Sequence, residues 1–354
     1  MTSGELVQVA RPAFVVSGQE NASLSEGLLS LQIIETVAGL YRCEATFGNW
    51  GTLNNNLDYL YFDRQVLDFG KTWQVKQGAD ILFDGRIMGL EAIFPETMPP
   101  AITVLAEDRF QDLRMTRRTR SFSQVSDSDV FNQIAGNHGL TANLDLNGPT
   151  YPVLAQVNLS DLAFLRERAR SIDAEIWMNG TTLYAKSHAS RSNEQLDLTY
   201  KQDLREFSVL ADLAGQRSSV SVSGWDVAGK QAIKEDADEN AISSELSGDT
   251  GGTAILNSAL GSRKEMIAHS VSLTSREAQA EAQAIFKMNA RRFVTAYGIA
   301  ETSVKLRVGN KVNLRGLGDM FNGKYYLTEV RHRFDGEYGL RTEFRAERPG
   351  IGGR

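Results

Sequence analysis

The chain has 354 residues, of which 42% are hydrophobic, and its formal net charge is −6. A chain of this length and composition indicates a globular protein of two or three domains and excludes a largely disordered one. The negative charge argues against sequence-specific binding of nucleic acid, which normally uses a basic surface. It leaves open a contact with nucleic acid that passes through a channel.

Cys43 is the single cysteine, so an intrachain disulfide is excluded. Strand alternation places Cys43 on one face with Tyr41 and Phe47, which predicts a buried thiol in a protein that folds in a reducing cytoplasm. The amino terminus has neither a basic segment nor an apolar signal core. No apolar run approaches the ~18 residues that span a bilayer, so we expect no membrane anchor.

Residues 1–112 are predicted to form a first small β-barrel. Short apolar runs recur at close spacing and are separated by turn signals such as Gly78 and Asp84-Gly85, a pattern typical of barrels and sandwiches. The predicted strands are Leu28–Val37, Tyr41–Phe47, Lys71–Gln77, Ile81–Phe83, Arg86–Ile93 and Ile102–Ala106.

Residues 113–195 are predicted to form a mixed α/β insert. The sequence favours a helix over Asp127–Asn137, and a second helix follows Ser160 and Asp161, both of which can cap its first turn. Asn179-Gly180 then suits a type I′ hairpin turn between Glu175–Met178 and Thr181–Tyr184.

An arginine cluster lies at the junction between these two regions. A solvated linker or a salt network at a domain junction accounts for such a cluster, and an electrostatic contact with a partner subunit is the alternative. The cluster consists of Arg109, Arg114, Arg117, Arg118 and Arg120.

Residues 196–347 are predicted to form a second β-barrel, followed by a flexible tail over 348–354. The segment 227–264 combines an acidic run with a glycine-rich patch and is interpreted as a flexible excursion. A long helix is predicted over 275–293, with Ser275 as its cap.

Two parts of the chain resemble one another. Gly78 precedes Phe83-Asp84-Gly85-Arg86, and Gly309 precedes Phe321-Asn322-Gly323-Lys324, each followed by an apolar strand. Chance is one explanation, because Asx-Gly turns are common in hairpins. The other is a duplicated barrel, in which case three copies would form a closed ring of six similar barrels through head-to-tail contacts.

Motifs along most of the chain resemble those of the late-control protein D family, the baseplate hubs of contractile phage tails. They are also similar to the amino-terminal half of the VgrG proteins of type VI secretion. The motifs run in the same order from about residue 25 to 347. They are Ile81–Ile87, Arg118–Phe122, Gln156–Leu165, Val308–Val312 and Gly323–Leu327.

The resemblance implies an α+β, mostly β fold, with two similar tube-type β-barrels around an α/β insert and assembly as a ring-forming homotrimer. It implies a structural hub that adapts a hexameric tail tube protein to a trimeric central spike protein, in contact with other baseplate proteins. Such a hub is assembled in the bacterial cytoplasm and resides in a virion tail baseplate or an injection particle. The segment 227–264 could contact the tube or clamp those baseplate neighbours.

We predict that the tail contacts the spike through Arg348, Pro349 and Ile351. No catalytic residue, cofactor or metal site is predicted, because the four histidines lack metal-ligand spacing and the sequence has no P-loop or nucleophile elbow. A tail-tip peptidoglycan or glycan hydrolase and a β-rich receptor-binding tail module remain alternative functions.

Overall fold

A computed structural model of the chain describes residues 11–53, 55–192, 194–227 and 229–353, except for the side chains of 269–271. The chain is mostly β, and its sheets surround four hydrophobic cores. No closed barrel occurs among these residues; the largest sheet is an open one of 13 strands.

The amino-terminal region forms the first of these cores. Its elements are β1 (Ala13–Val16), β2 (Gln19–Glu20), α1 (Ala22–Gly27), β3 (Leu28–Thr36), β4 (Arg42–Gly48), β5 (Trp50–Leu53), β6 (Asn56–Tyr59), β7 (Thr72–Gln77), β8 (Asp80–Ile93) and β9 (Ala101–Glu107). Phe14, Phe47 and Trp73 pack at its centre, with Phe14 edge-on to Phe47 at 5.0 Å between ring centroids. Cys43 is fully buried in this core, and burial raises its pKa to about 12.

The insert has a second core, between two helices and short sheets. Its elements are α2 (Phe110–Arg114), β10 (Arg117–Ser126), α3 (Asp127–Asn137), β11 (Thr141–Asp145), β12 (Thr150–Ser160), α4 (Asp161–Ser171), β13 (Ala174–Asn179) and β14 (Thr182–Ser187). The predicted helix over Asp127–Asn137 is α3, which Ser126 and Asp129 start with a capping box. Ser160 caps α4 by accepting the Ala163 N–H at 3.2 Å.

The hairpin between β13 and β14 turns one residue later than the sequence suggests. Asn179 pairs with Thr182, so the two-residue turn is Gly180-Thr181. Of these two residues only Gly180 has positive φ, at 56°, which is the pattern of a type II′ turn. The predicted type I′ turn at Asn179-Gly180 is therefore wrong by one position.

The rest of the chain forms the third and fourth cores. Its elements are β15 (Gln195–Thr199), β16 (Leu204–Ala211), β17 (Ser219–Asp226), β18 (Gln231–Asp238), β19 (Thr250–Gly251), α5 (Gly252–Leu260), β20 (Lys264–Ser272), α6 (Ser275–Arg291), β21 (Val294–Glu301), β22 (Lys311–Arg315), β23 (Gly323–Asp335), β24 (Gly339–Arg348) and β25 (Gly350–Ile351). Residues 212–293, which we call the insertion subdomain, interrupt the connection from β16 to β21.

The insertion subdomain differs from the flexible excursion that the sequence suggests for 227–264. In its described residues β17 pairs with β18 and β20, and α6 packs on this sheet through Ala278, Ala282 and Phe286. The small alanines allow the helix to approach the sheet closely. The cap of α6 is Thr274, which accepts the Glu277 N–H at 3.2 Å, rather than Ser275.

Two sets of five strands share one topology. In chain order they are β3, β4, β7, β8 and β9 in the first β unit, and β16, β21, β22, β23 and β24 in the second β unit. In both units the order across the sheet is first, second, fifth, fourth, third. Every one of these pairings is antiparallel in both units.

The irregularities of the two units also correspond. The fourth strand has a bulge between Ile87 and Gly89 in the first unit and between Leu327 and Glu329 in the second. The first strand has a bulge between Leu28 and Ser30 in one unit and after Leu204 in the other. Bulges are specific features of a strand pair, so the shared positions indicate a duplicated unit.

The same alignment corrects the register of the sequence repeat. Gly70 and Gly309 both have positive φ, and they donate equivalent hydrogen bonds to Ile87 O at 2.8 Å and Leu327 O at 2.9 Å. Gly309 therefore corresponds to Gly70 and not to Gly78. Asp84-Gly85 lies inside the continuous strand β8 and forms no turn.

The two units are not separate barrels within one chain. Strand β23 pairs with β3, which joins both units into the single 13-stranded sheet. The prediction of two similar units matches the topology, whereas each unit by itself is an open part of a larger sheet.

A Gly298→Ala substitution tests the packing of the second unit. A methyl group at this position would collide with the ring of Phe344, which is 1% exposed and cannot move into solvent. We expect a loss of about 1–3 kcal/mol in unfolding free energy from overpacking, measured by urea denaturation.

Gly136→Ala is the matched control, because nothing lies within 4 Å of its added methyl group and Gly136 is in helix α3. That substitution should be neutral or stabilising. Equal stability losses in the two variants would contradict the packing described for Gly298.

Candidate functional site

The two β units are joined where strand β23 of the second unit pairs with strand β3 of the first. We call this strand pair the internal seam. Strand β23 pairs antiparallel with β3 over seven residue pairs, from Glu329 opposite Thr36 to Asp335 opposite Ser30. The inward side chains of this seam are at most 3% exposed; they are Leu31, Ile33, Glu35, Val330, His332 and Phe334. Phe334 packs in the core of the first unit although its strand belongs to the second.

Two polar groups lie within this otherwise apolar seam. Glu35 forms an ion pair with Arg307 at 2.5 Å and accepts the Val308 N–H at 3.2 Å, while burial raises its pKa. His332 Nδ1 lies 2.8 Å from Thr342 Oγ1, and burial lowers the pKa of His332 to about 3. A neutral imidazole thus fills the seam at physiological pH. These contacts tie β3 to the loop that holds Arg307 and Val308, and β23 to its neighbour β24 through Thr342.

Among the described residues, two strand edges of the joined sheet have no partner strand. Strand β7 ends its pairing with β8 at Arg86, so residues 88–93 of β8 pair on one side only, with β9. Strand β16 pairs with β21, and among the described residues its other edge has only an isolated bridge between Leu204 and Tyr200. Exposed hydrophobic side chains accompany both edges, including Ile93 (38%), Phe94 (60%) and Leu210 (60%).

A buried ionic junction holds the insert against both β units. Glu175 of β13 accepts hydrogen bonds from Arg191 at 2.5 Å and from the Tyr326 hydroxyl at 2.6 Å. His188 Nδ1 lies 3.0 Å from the other carboxylate oxygen. Arg191 also donates to the Tyr41 hydroxyl at 2.9 Å. Since Tyr41 precedes β4 and Tyr326 lies in β23, one carboxylate connects three parts of the chain.

The charge of Glu175 is fixed by this environment. Burial by itself would raise its pKa, but the positive charge of Arg191 and the hydrogen bonds from His188 and Tyr326 outweigh burial and lower the pKa of Glu175 to about 2. The group is therefore ionised at every physiological pH. This property suits a permanent ion pair and not a proton-transferring acid.

A second arginine connects the insert with the insertion subdomain. Arg291 of α6 is 4% exposed and donates to Asp173 at 2.7 Å and to Glu245 at 2.8 Å. A cavity of about 370 Å³ lies beside this arginine and is lined by Asp173, Glu175 and Glu347, among others. Burial raises the pKa of Glu347.

The arginine cluster of 109–120 forms bonds within the chain. Arg118 and Arg120 both contact Asp161, at 3.2 and 2.6 Å, and His138 Nε2 lies 2.8 Å from the same carboxylate. Burial alone would raise the pKa of Asp161, but these hydrogen bonds and arginine charges lower it. Arg109, Arg114 and Arg117 bond to Asp112, Glu107 and the Asn158 carbonyl. The salt-network interpretation accounts for four of the five arginines, and Arg117 bonds to a backbone carbonyl instead.

The residues predicted to contact a spike lie at a folded edge of the second unit. Arg348 is the last residue of β24, is 4% exposed, and donates to Asp249 at 2.8 Å and to the Asn322 carbonyl at 2.7 Å. Pro349 and Ile351 are half-buried, and Ile351 pairs with Thr250 through β25. The segment through Ile351 is thus ordered rather than a flexible tail, and Arg348 faces the protein interior.

Within the described part of the chain, no group of three or more His, Cys, Asp or Glu side chains is arranged to hold a metal ion. None of the helices found there is long and apolar enough to cross a bilayer.

This arrangement of sheets defines a fold that solved phage tail proteins share. The 43 kDa tail protein of prophage MuSo2 from Shewanella oneidensis has a TM-score of 0.71 at 12% identity, covering 96% of this chain and 98% of its own. A tail protein from Neisseria meningitidis MC58 has a TM-score of 0.65 at 13% identity, covering 97% of both chains. The E. coli c3393 protein, described as a type VI secretion component, has a TM-score of 0.58 at 10% identity, with 92% and 76% covered.

The family model of the Alg8 N-terminal domain matches residues 66–336, which include parts of all four cores. The chain therefore belongs to the Alg8 N-terminal domain family. No curated protein matches the sequence.

Glu175→Gln tests the ionic junction. Arg191 would remain buried without its carboxylate, so we expect a loss of about 3–5 kcal/mol in unfolding free energy at pH 7. The pKa of Glu175 is lower in the folded chain than its ordinary 4.5, so its contribution is complete above about pH 4.5 and disappears as pH falls towards 2. The difference between the two proteins should shrink over that same range, measured by denaturation at each pH.

Glu301→Gln is the control, because the Arg205–Glu301 pair is exposed. Its effect should stay below about 1 kcal/mol. If the difference between wild type and Glu175→Gln did not change between pH 4.5 and 2, the assigned ionisation of Glu175 would be wrong.

Proposed function

We propose that the chain is a structural component of a phage tail or of a phage-derived injection machine. More specifically, we propose that it is the baseplate hub that connects a hexameric tail tube protein to a trimeric central spike protein. The observation that carries this proposal is the duplicated β unit, with the same strand order and the same bulges in both copies. The fold similarity to proteins described as tail proteins supports it.

The duplication suits an adaptor between unequal symmetries. A homotrimer of a chain with two similar units presents six such units around one axis, while the chain itself repeats only three times. One face can therefore match a sixfold tube and the other a threefold spike. Head-to-tail contacts between copies are the kind that close into a ring.

The chemistry of the described residues favours a structural role over hydrolysis. Glycan hydrolysis needs two carboxyl groups that flank a bond, one of them protonated. Beside the cavity at the ionic junction, Asp173 and Glu175 are instead held by Arg291 and Arg191. Opposed charges of this kind fasten domains together and keep both Asp173 and Glu175 from serving as the protonated acid.

Assembly with a tube and a spike gives the direct test. We expect the purified chain to be a trimer, alone or with its spike protein, by native mass spectrometry. A tube protein encoded with it should attach to the same particle by electron microscopy. A monomer that ignores both components, or release of muropeptides from purified cell walls, would refute the hub assignment.

We also propose that the edge formed by Arg348, Pro349 and Ile351 faces the spike. Because Arg348 is buried, its role would be to hold this edge in place, whereas half-buried Ile351 leaves part of its side chain accessible. Ile351→Glu should weaken retention of the spike in a pull-down at least about tenfold. Leu260→Glu, at an exposed position on α5, serves as the control and should leave retention unchanged. Full retention by Ile351→Glu would exclude this edge as the contact.

A further inference from the structure

Inside the chain, the fourth strand of one β unit pairs with the first strand of the other unit. The remaining fourth and first strands do not pair with each other in the described residues. Strands β8 and β23 are each the fourth strand of their unit, and β3 and β16 are each the first. Within the chain β23 pairs with β3. The equivalent pair would be β8 with β16, but β16 begins the sheet order whereas β8 lies between β9 and β7, and the two strands do not pair within the described residues.

The corresponding positions are fixed by the pairings of the two units. The pairs Ile87–Ala106 and Leu327–Ala346 stand directly before equivalent bulges, which aligns Leu90 with Val330 and Phe94 with Phe334. The second and fifth strands align Arg42 with Thr295, since they oppose Glu107 and Glu347.

The first strands then align through their neighbours. Arg42 lies opposite Ile34, and Thr295 lies opposite Leu210, so Ile34 corresponds to Leu210. By the same step Leu31 corresponds to Phe207 and Ile33 to Val209.

Burial differs sharply between these equivalent positions. In the first strands Leu31 is 2% and Ile33 0% exposed, whereas Phe207 and Val209 are only half-buried at the edge of their core. In the fourth strands Phe334 is 3% exposed, whereas Phe94 is 60% exposed. The inward side chains are buried at the internal seam, and their equivalents are partly or largely exposed where a partner strand is missing.

We propose that residues 207–212 of one copy, at the end of β16, pair with residues 89–94 of the next copy, at the end of β8, antiparallel and in the register of the internal seam. This inference rests on the proposed trimeric hub and specifies how its copies join. The predicted opposite pairs are Gly89–Asp212, Leu90–Ala211, Glu91–Leu210, Ala92–Val209, Ile93–Ser208 and Phe94–Phe207.

The side chains in this register are chemically compatible. Alternation places Leu90, Ala92 and Phe94 on one face, opposite Ala211, Val209 and Phe207 of the neighbour. This face is entirely apolar, and it brings two aromatic rings together. The internal seam has Glu35 and His332 at the positions of Ala211 and Ala92, so the seam between copies lacks the buried polar groups of the internal one.

Phe94 is the residue whose surroundings would change most when the ring assembles. Its counterpart Phe334 packs in the hydrophobic core of the other unit. In the assembled ring Phe94 would likewise enter the core of the second unit of its neighbour. Strand addition would also pair backbone groups of two exposed edges, which otherwise promote uncontrolled association.

The register can be tested with one pair of cysteines. Glu91→Cys and Leu210→Cys in the same chain should give disulfide-linked dimers and trimers under mild oxidation, seen on a non-reducing gel. Val209 lies one residue away and faces the other side of the sheet, so Glu91→Cys with Val209→Cys should give at most a tenth of that product. The native thiol of Cys43 is buried and should not contribute.

The internal seam supplies a positive control. Ile34 and Arg331 are directly opposite each other and are the equivalents of Leu210 and Glu91. Ile34→Cys with Arg331→Cys should therefore form an intrachain disulfide without any change in mass. If this pair forms while the 91–210 pair does not, in a protein that is trimeric by native mass spectrometry, the strand pairing is wrong and the trimer stands.

A measurement without engineered cysteines covers the case in which neither pair closes. Phe94→Asp should raise the dissociation constant of the trimer at least about tenfold and release backbone amides of 89–94 and 204–211 from hydrogen-exchange protection. Met115→Asp, at another exposed position, should change neither. A wild-type trimer with unprotected amides in both segments overturns the proposed pairing. A wild-type chain that never associates instead refutes the hub itself.

Discussion

The structure depends on one constraint, which is that strand edges in a β-sheet require partners. Each β unit has a first strand and a fourth strand with an edge that its own unit leaves unpaired. Strands β3 and β23 satisfy one another's edges and thereby bury six inward side chains. The same bonding requirement applies to residues 88–93 of β8 and to β16, whose corresponding edges have no partner strand in the part of the chain that the structure describes. A single physical rule thus accounts both for the cohesion of the chain and for its proposed assembly.

The buried charges have a complementary role. Backbone pairing fixes the two β units relative to one another, but the insert and the insertion subdomain have separate hydrophobic cores. Glu175 with Arg191, and Arg291 with Asp173 and Glu245, connect those cores at the same junction. Buried ion pairs add little net stability compared with apolar packing, yet removing one partner strongly destabilises the protein. They are therefore well suited to holding the domains in one relative orientation.

Sequence reasoning worked best where the signal was local. The helix Asp127–Asn137 has its capping residues beside it in sequence, and both the element and its ends could be predicted. The turn of the hairpin at Gly180 was predicted one residue too early. Asn-Gly by itself favours a turn at 179–180, whereas the pairing of β13 with β14 places the turn at 180–181. The fold of 227–264 was missed because its acidic and glycine-rich composition resembles that of a flexible segment. Its strands are held by packing on α6, which lies later in the chain.

The sequence by itself determined that the chain is globular and mostly β, since periodicity and turn residues act over a few neighbours, and it suggested an internal repeat. It did not determine which residues of the two repeats correspond: Phe-Asp-Gly at 83–85 looks like a turn but lies within a strand. That correspondence was decided by hydrogen bonds between strands far apart in the chain, such as those of Gly70 and Gly309. The tertiary structure also decided that Arg348 is buried and that, in the described residues, the edges of β8 and β16 lack a partner strand, because burial and pairing depend on which distant segments come together.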